Sequence, residues 1–276
     1  MDSPKFVKPH FKIKKSTFEN SISVDPIILE IRQHLLARDT IFEIVINNGS
    51  PLFIDTGQGE AAISYLKDAY SIRLPFSNDD FDYLKQNIRQ MGCKVAVSRY
   101  SLVVTYTLQY LTTREQEQLI EQKICEIDDM TRLRAKKNDF LKIKCAYDYI
   151  LSNVEYDYTF TNRSAYNALF NKKAVCEGCA ALFYRLLSSA NIPCRIITGQ
   201  GLQERHAWNI VRVGNKWYNT DVTWDLYCRW KDRTLTNYNW FLKGTHMFTN
   251  HVRDTIFDDD AYYERQPMSN VDYYSI

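Results

Sequence analysis

The stretch that decides the reading runs from Lys172 to Asp225. It opens with Ala174-Val175-Cys176-Glu177-Gly178-Cys179 and passes through Arg205-His206-Ala207-Trp208-Asn209. It closes with Lys216-Trp217-Tyr218-Asn219-Thr220-Asp221-Val222-Thr223-Trp224-Asp225. After Cys179 the apolar residues Leu182, Phe183, Leu186 and Leu187 recur at intervals of three and four, the spacing of one face of a helix. Asn191-Ile192-Pro193 stops the pattern, because proline cannot continue the ladder and asparagine tolerates a left-handed cap. Cys176 is therefore expected in or just before the first turn of a buried helix, where free N–H groups and the dipole favour negative charge. Such a position can activate a thiol and can hold an oxyanion.

Arg205–Val213 alternates, and Lys216–Trp224 is rich in aromatic and β-branched residues, so both are predicted to be strands. Gly214-Asn215 between them is a two-residue hairpin signal. Closing the turn pairs Val213 with Lys216, so His206 faces Thr223 and Asp221 faces Trp208. His206 and Asp221 then share a sheet face as diagonal neighbours, roughly 7 Å apart at the backbone. A thiol at a helix start, an imidazole and an orienting carboxylate make up the inventory of acyl transfer through a thioester. Each residue alone has an ordinary structural reading; the ordered set is what points to chemistry. The C-x-x-C formed by Cys176 and Cys179 also suits a redox dithiol or half a metal site. No second C-x-x-C accompanies it, and Cys179 is expected to be a packed core thiol.

These three motifs resemble the bacterial transglutaminase-like, papain-related core. Ala146-Tyr147-Asp148-Tyr149-Ile150 and Asn153-Val154-Glu155-Tyr156-Asp157-Tyr158 upstream are similar to that family's lead-in, as is Tyr238-Asn239-Trp240-Phe241-Leu242-Lys243 downstream. The resemblance covers roughly Thr112 to the C-terminus. It implies a papain-like α+β fold, with the helix bearing the nucleophile packed on an antiparallel sheet. It also implies Cys176 as nucleophile, His206 as general base and then acid, and Asp221 as orienter. The family contains proteases, transglutaminases, amidases and inactive binding modules. A protein or peptide is the expected substrate, with hydrolysis favoured over transamidation. Trp208, Tyr166 and Gly178 are expected to bind it. Asn162, Ser164 and Tyr166 are candidates for a second oxyanion donor.

The 276 residues suffice for one large or two medium domains. A mixed α/β domain is expected over 1–111 and the catalytic domain over 112–276. A net charge of +2 gives no reason to expect nucleic acid or an anionic membrane as partner. There is no N-terminal apolar h-region and no run of eighteen apolar residues that could span a bilayer. Seven scattered cysteines do not resemble a disulfide framework, which leans towards a reducing compartment. No cofactor is expected: His246 and His251 lack metal spacing and are taken as structural, and Asp258-Asp259-Asp260 as a solvated turn.

In the N-terminal part, Asp25-Pro26 should cap a helix to Arg38, followed by a strand over 40–46 and a turn at 47–50 leading to a possible partner over 51–55. Helices are expected over 59–70 and 78–91, with Ser77 capping the second, and strands over 95–98 and 102–110. Thr112-Thr113-Arg114-Glu115 matches a capping box ahead of a long charged helix, and another helix should cover 139–153.

Overall fold

The computed structural model describes residues 25–47, 58–71, 81–97, 101–231, 238–258 and 260–274. Residues 1–24, the strand expected at 51–55 with most of its turn, and the Ser77 cap lie outside the described residues. In chain order the elements are α1 (Pro26–Ala37), β1 (Ile41–Asn47), α2 (Gln58–Ser71), α3 (Phe81–Asn87), β2 (Ile88–Val97) and β3 (Ser101–Tyr110). Then come α4 (Arg114–Thr131), α5 (Asp139–Asn153), β4 (Glu155–Tyr156), a π turn at Asn167–Asn171, and β5 (Lys173–Ala174). The chain continues with α6 (Cys176–Ser189), β6 (Cys194–Gly201), β7 (Glu204–Val213), β8 (Lys216–Thr220), α7 (Val222–Lys231), β9 (His251–Arg253) and α8 (Asp260–Arg265).

The first sheet is antiparallel in the order β1-β3-β2, and its inward residues pack with α1 and α2 around Ile31, Leu35, Ile44, Val104 and Tyr106. Asp25 caps α1 as expected, accepting from the Ile27 amide at 2.9 Å, and Arg38 ends it with φ at 60°. The helix expected over 78–91 is shorter. Asn87 closes it, donating to the Tyr83 carbonyl at 3.0 Å, and Ile88 already pairs with Tyr110 in the sheet. Pairing with β3 overrides helix propensity in that segment. The capping box also sits one residue further on, with Thr113 as cap and Gln116 as its reciprocal partner.

The second sheet is antiparallel in the order β8-β7-β6-β9. Helix α6 lies on it, buried from Gly178 through Leu187, with α5 on its far side. This is the expected α+β arrangement. Gly214 turns the hairpin with φ at 61°, and Val213 pairs with Lys216, so the predicted register is the observed one as far as Asn209–Thr220. The strand does not continue to Trp224. Asp221 takes the Thr223 and Trp224 amides on Oδ1, at 2.9 and 3.2 Å, and so caps a helix that begins at Val222. The β-branched pair Val222-Thr223 disguises that start.

Although α3 precedes the expected boundary at Thr112, it docks on the second unit. Asp82 is buried, accepting from the Ile196 amide at 3.0 Å and from the Arg195 guanidinium at 2.8 Å. Gln86 Nε2 donates to the Glu177 carbonyl at 2.7 Å, at the start of α6. Replacing Asp82 with alanine leaves the half-buried Arg195 guanidinium without this carboxylate and the Ile196 amide without its acceptor, and should cost about 3 kcal/mol in urea unfolding. A loss below about 1 kcal/mol would show that this contact is not structural.

Candidate active site

Val175 stands at the N-cap of α6 with no side-chain cap, so the amides of the first turn are left for another acceptor. Cys176 is the first helical residue and is half-buried. Gly178 allows the helix to sit close to the preceding loop, since a Cβ there would lie 2.9 Å from the Ala174 Cβ and 3.0 Å from the Ser164 carbonyl. That loop is tied in place by Asp157. Its buried carboxylate accepts from the amides of Thr159, Thr161 and Asn162 at 2.9, 3.0 and 2.8 Å, and the Asn162 carbonyl accepts from the Val175 amide at 2.9 Å. Burial alone would raise the Asp157 carboxyl, yet the hydrogen bonds from Thr159 and Asn162 hold it well below the usual carboxylate range.

His206 lies on β7 with Nε2 2.7 Å from Asp221 Oδ2, the diagonal contact that the hairpin register dictates. Cys176 also acts on this ring, and with Nε2 on Asp221 it is Nδ1 that remains for the sulfur. Burial opposes a charged ring here, but the Asp221 carboxylate and the Cys176 contact outweigh it and lift His206 to about 10. Asp221 is fully buried. Burial would raise it, and the charge and hydrogen bond of His206, with His251 behind, instead bring it down to about 2.

His251, on β9, places Nε2 3.0 Å from the same Oδ2. This histidine had no signal in the sequence, because its three-residue strand arrives some fifty positions after β6 with no hairpin to announce it. His206, Asp221 and His251 are, among the described residues, the one group whose metal-ligating atoms lie within 4.8 Å of one another. The 2.7 and 3.0 Å separations are those of N–H donors on a carboxylate, and they occupy the space a cation would need. Gly201, also absent from the sequence reading, makes room for this cluster: a Cβ there would lie 3.0 Å from the His206 and Trp224 rings.

A cavity of about 730 Å³ opens over Cys176 and His206, with walls that include Tyr156, Tyr158, Phe160, Trp224 and Trp240. Trp208, Tyr166 and Gly178 are not in its lining. Trp208 lies buried beneath, its ring 6.0 Å from that of His206, and Tyr166 stacks on Phe170. The tryptophans that reach the cavity are Trp224 and Trp240. The candidate oxyanion donors are also engaged elsewhere: Asn162 Nδ2 bonds to Asp157 at 2.8 Å, and the Ser164 hydroxyl to Asn167 at 2.7 Å. Cys179 is fully buried against the Ala174 carbonyl, and burial pushes its thiol well above the ordinary range, a poor partner for dithiol exchange. His246 is exposed, away from the cavity lining.

Residues 129–222 match the profile of the transglutaminase-like superfamily. The kyphoscoliosis peptidase of Homo sapiens is 27% identical over a region covering 33% of this chain and 17% of that protein, and the Mus musculus kyphoscoliosis peptidase matches to the same extent. The chain thus spans about a sixth of the length of these relatives. A solved transglutaminase (TGase) structure aligns with a TM-score of 0.38 at 14% identity, over 55% of this chain and 48% of that one. No helix among the described residues is long and apolar enough to cross a membrane.

Asparagine at position 221 keeps an oxygen to cap α7 while removing the charge beside His206. Asp221→Asn is expected to lower the His206 pKa by about 1–3 units, read from the ring proton resonances against pH. An unchanged titration would mean that the carboxylate does not hold the imidazole's proton.

Proposed function

We propose that this chain, whose residues 129–222 match the profile of the transglutaminase-like superfamily, is a thiol enzyme that transfers acyl groups from amide bonds. One observation carries the reading: His206, held through Nε2 on the buried Asp221 carboxylate, lines the same cavity as Cys176 at the start of α6. The Cys176 sulfur attacks the amide carbon, its proton residing on His206. The negative oxygen of the tetrahedral intermediate is held by free amides of the first turn of α6. As the C–N bond breaks, His206 gives its proton to the departing amine, leaving a thioester on Cys176. An acceptor, deprotonated by His206, then attacks the thioester carbon and frees the sulfur. Asp221 keeps the ring oriented and stabilises its charge throughout.

Water is the acceptor we favour. Tyr158, Phe160 and Leu202, which line the cavity, are exposed, so among the described residues the site stands open to solvent. The aromatic walls suit a peptide carrying apolar side chains, which agrees in kind with the peptidase relatives.

The protonation of His206 also sets a pH dependence. Its proton is held more tightly in the folded chain, at about 10 against the ordinary 6.5. The stabilisation it gives is complete below about 6.5 and lost as pH rises through about 10, and the acid that serves the leaving amine disappears over the same rise. Hydrolysis should therefore fall on an alkaline limb near pH 10.

The test is incubation of wild type and Cys176→Ala with fluorescein-labelled casein, with and without monodansylcadaverine, followed by mass analysis of the products. Cleaved peptides in both mixtures, and at least about a thousandfold loss in the variant, are expected. Dansyl incorporation without cleavage would make the activity transamidation. Equal results for wild type and variant would contradict any thiol chemistry.

A further inference from the structure

His251 lies beyond the matched segment 129–222, on a strand from a different part of the chain. Pairing of β9 with β6 puts it opposite Gly201, and its side chain is completely buried. Its Nε2 meets Asp221 Oδ2 at 3.0 Å, and its Nδ1 meets the Thr249 carbonyl at 3.0 Å. Both partners, a carbonyl and a carboxylate, offer acceptor oxygens, so the ring is held at each of its nitrogens. Aromatic rings enclose it. Phe248 stacks on it with centroids 3.9 Å apart, Trp224 lies at 4.0 Å, and Trp208 and Trp240 at 5.0 and 5.3 Å. The ionisable groups that face it are Asp221 and, at 5.6 Å between rings, His206.

Asp221 Oδ1 is already fixed by the two amides of α7. Were His206 the sole partner of Oδ2, carboxylate and ring could swing together about that anchor. A second donor on Oδ2 from an independent strand removes this freedom. We infer that His251 is a positioning residue for the thiol chemistry proposed above, gripping Asp221 so that His206 presents Nδ1 to the Cys176 sulfur, an assignment that rests on that reading. His251 touches neither the sulfur nor the cavity; it acts through Asp221.

Two substitutions separate positioning from packing. His251→Phe keeps an aromatic ring in the cage and removes both N–H groups; His251→Gln returns an N–H that can reach Oδ2. Casein hydrolysis and the rate at which iodoacetamide labels Cys176 are measured for both, with circular dichroism and melting as checks on folding. For His251→Phe, kcat and the labelling rate should each fall about 10–100-fold with KM within about twofold of wild type, and His251→Gln should recover most of the loss. Wild-type rates in folded His251→Phe, a loss confined to KM, or no recovery in folded His251→Gln would overturn the assignment. If phenylalanine unfolds the chain, glutamine decides alone: labelling within about fivefold of wild type supports positioning, and a larger loss in a folded protein overturns it. If wild type leaves casein uncut and unmodified, the acyl-transfer reading falls, while the labelling rates still decide the role of His251.

Discussion

The buried carboxylate of Asp221 is the point on which the second half of the molecule converges. One oxygen begins α7 by accepting two backbone amides, and the other receives His206 from β7 and His251 from β9. A carboxylate with 1% exposure can stay ionised only if its acceptor sites are filled. Here four N–H donors fill them, and they come from separate elements, so the sheet, the helix and the final strand must all be in register before the charge is satisfied. Failure of any one of them leaves a buried ion undercompensated, which makes the same contact structural and chemical at once.

Around that anchor the fold brings two further constraints to bear. Helix α6 must bring its first residue to the His206 imidazole; Gly178 lets the helix sit against the loop before it, and Gly201 leaves room for the His206 and Trp224 rings. The cavity lip, in contrast, carries backbone conformations that its side chains disfavour. Phe160 has φ at 57° and Leu202 at 50°, both exposed, and the knot of hydrogen bonds on Asp157 holds the first of these loops in shape. Strain of this sort is kept where the surrounding structure over-determines it, and here it borders the space above Cys176.

Much of this was legible in the sequence, for identifiable reasons. The 3.6 periodicity after Cys179 and the stop at Pro193 give α6, while Gly214-Asn215 fixes the hairpin so tightly that the pairing of β7 with β8 follows by counting. What escaped depends on contacts between distant segments or on competing local signals. Val222-Thr223 favours a strand by side-chain shape, yet Asp221 begins a helix there because its oxygen finds the free amides. Arg89-Gln90-Met91 continues a helical pattern until pairing with β3 claims it. Trp208 stands next but one to His206 and so points to the same sheet face, but the chain from β9 covers it, and the cavity is walled by Trp224 and Trp240. His251 was invisible for the same reason: its meaning lies in a strand pairing that no local pattern encodes.

The most direct test of a sulfur poised by His206 is a competition between two thiols of this chain. Cys125 is exposed, whereas Cys176 is half-buried. Accessibility alone therefore favours Cys125. With a single equivalent of iodoacetamide at pH 7 and peptide mapping by mass, the account predicts that the label falls first on Cys176, against the order of exposure. Label arriving on Cys125 first, with Cys176 trailing it, would contradict the account.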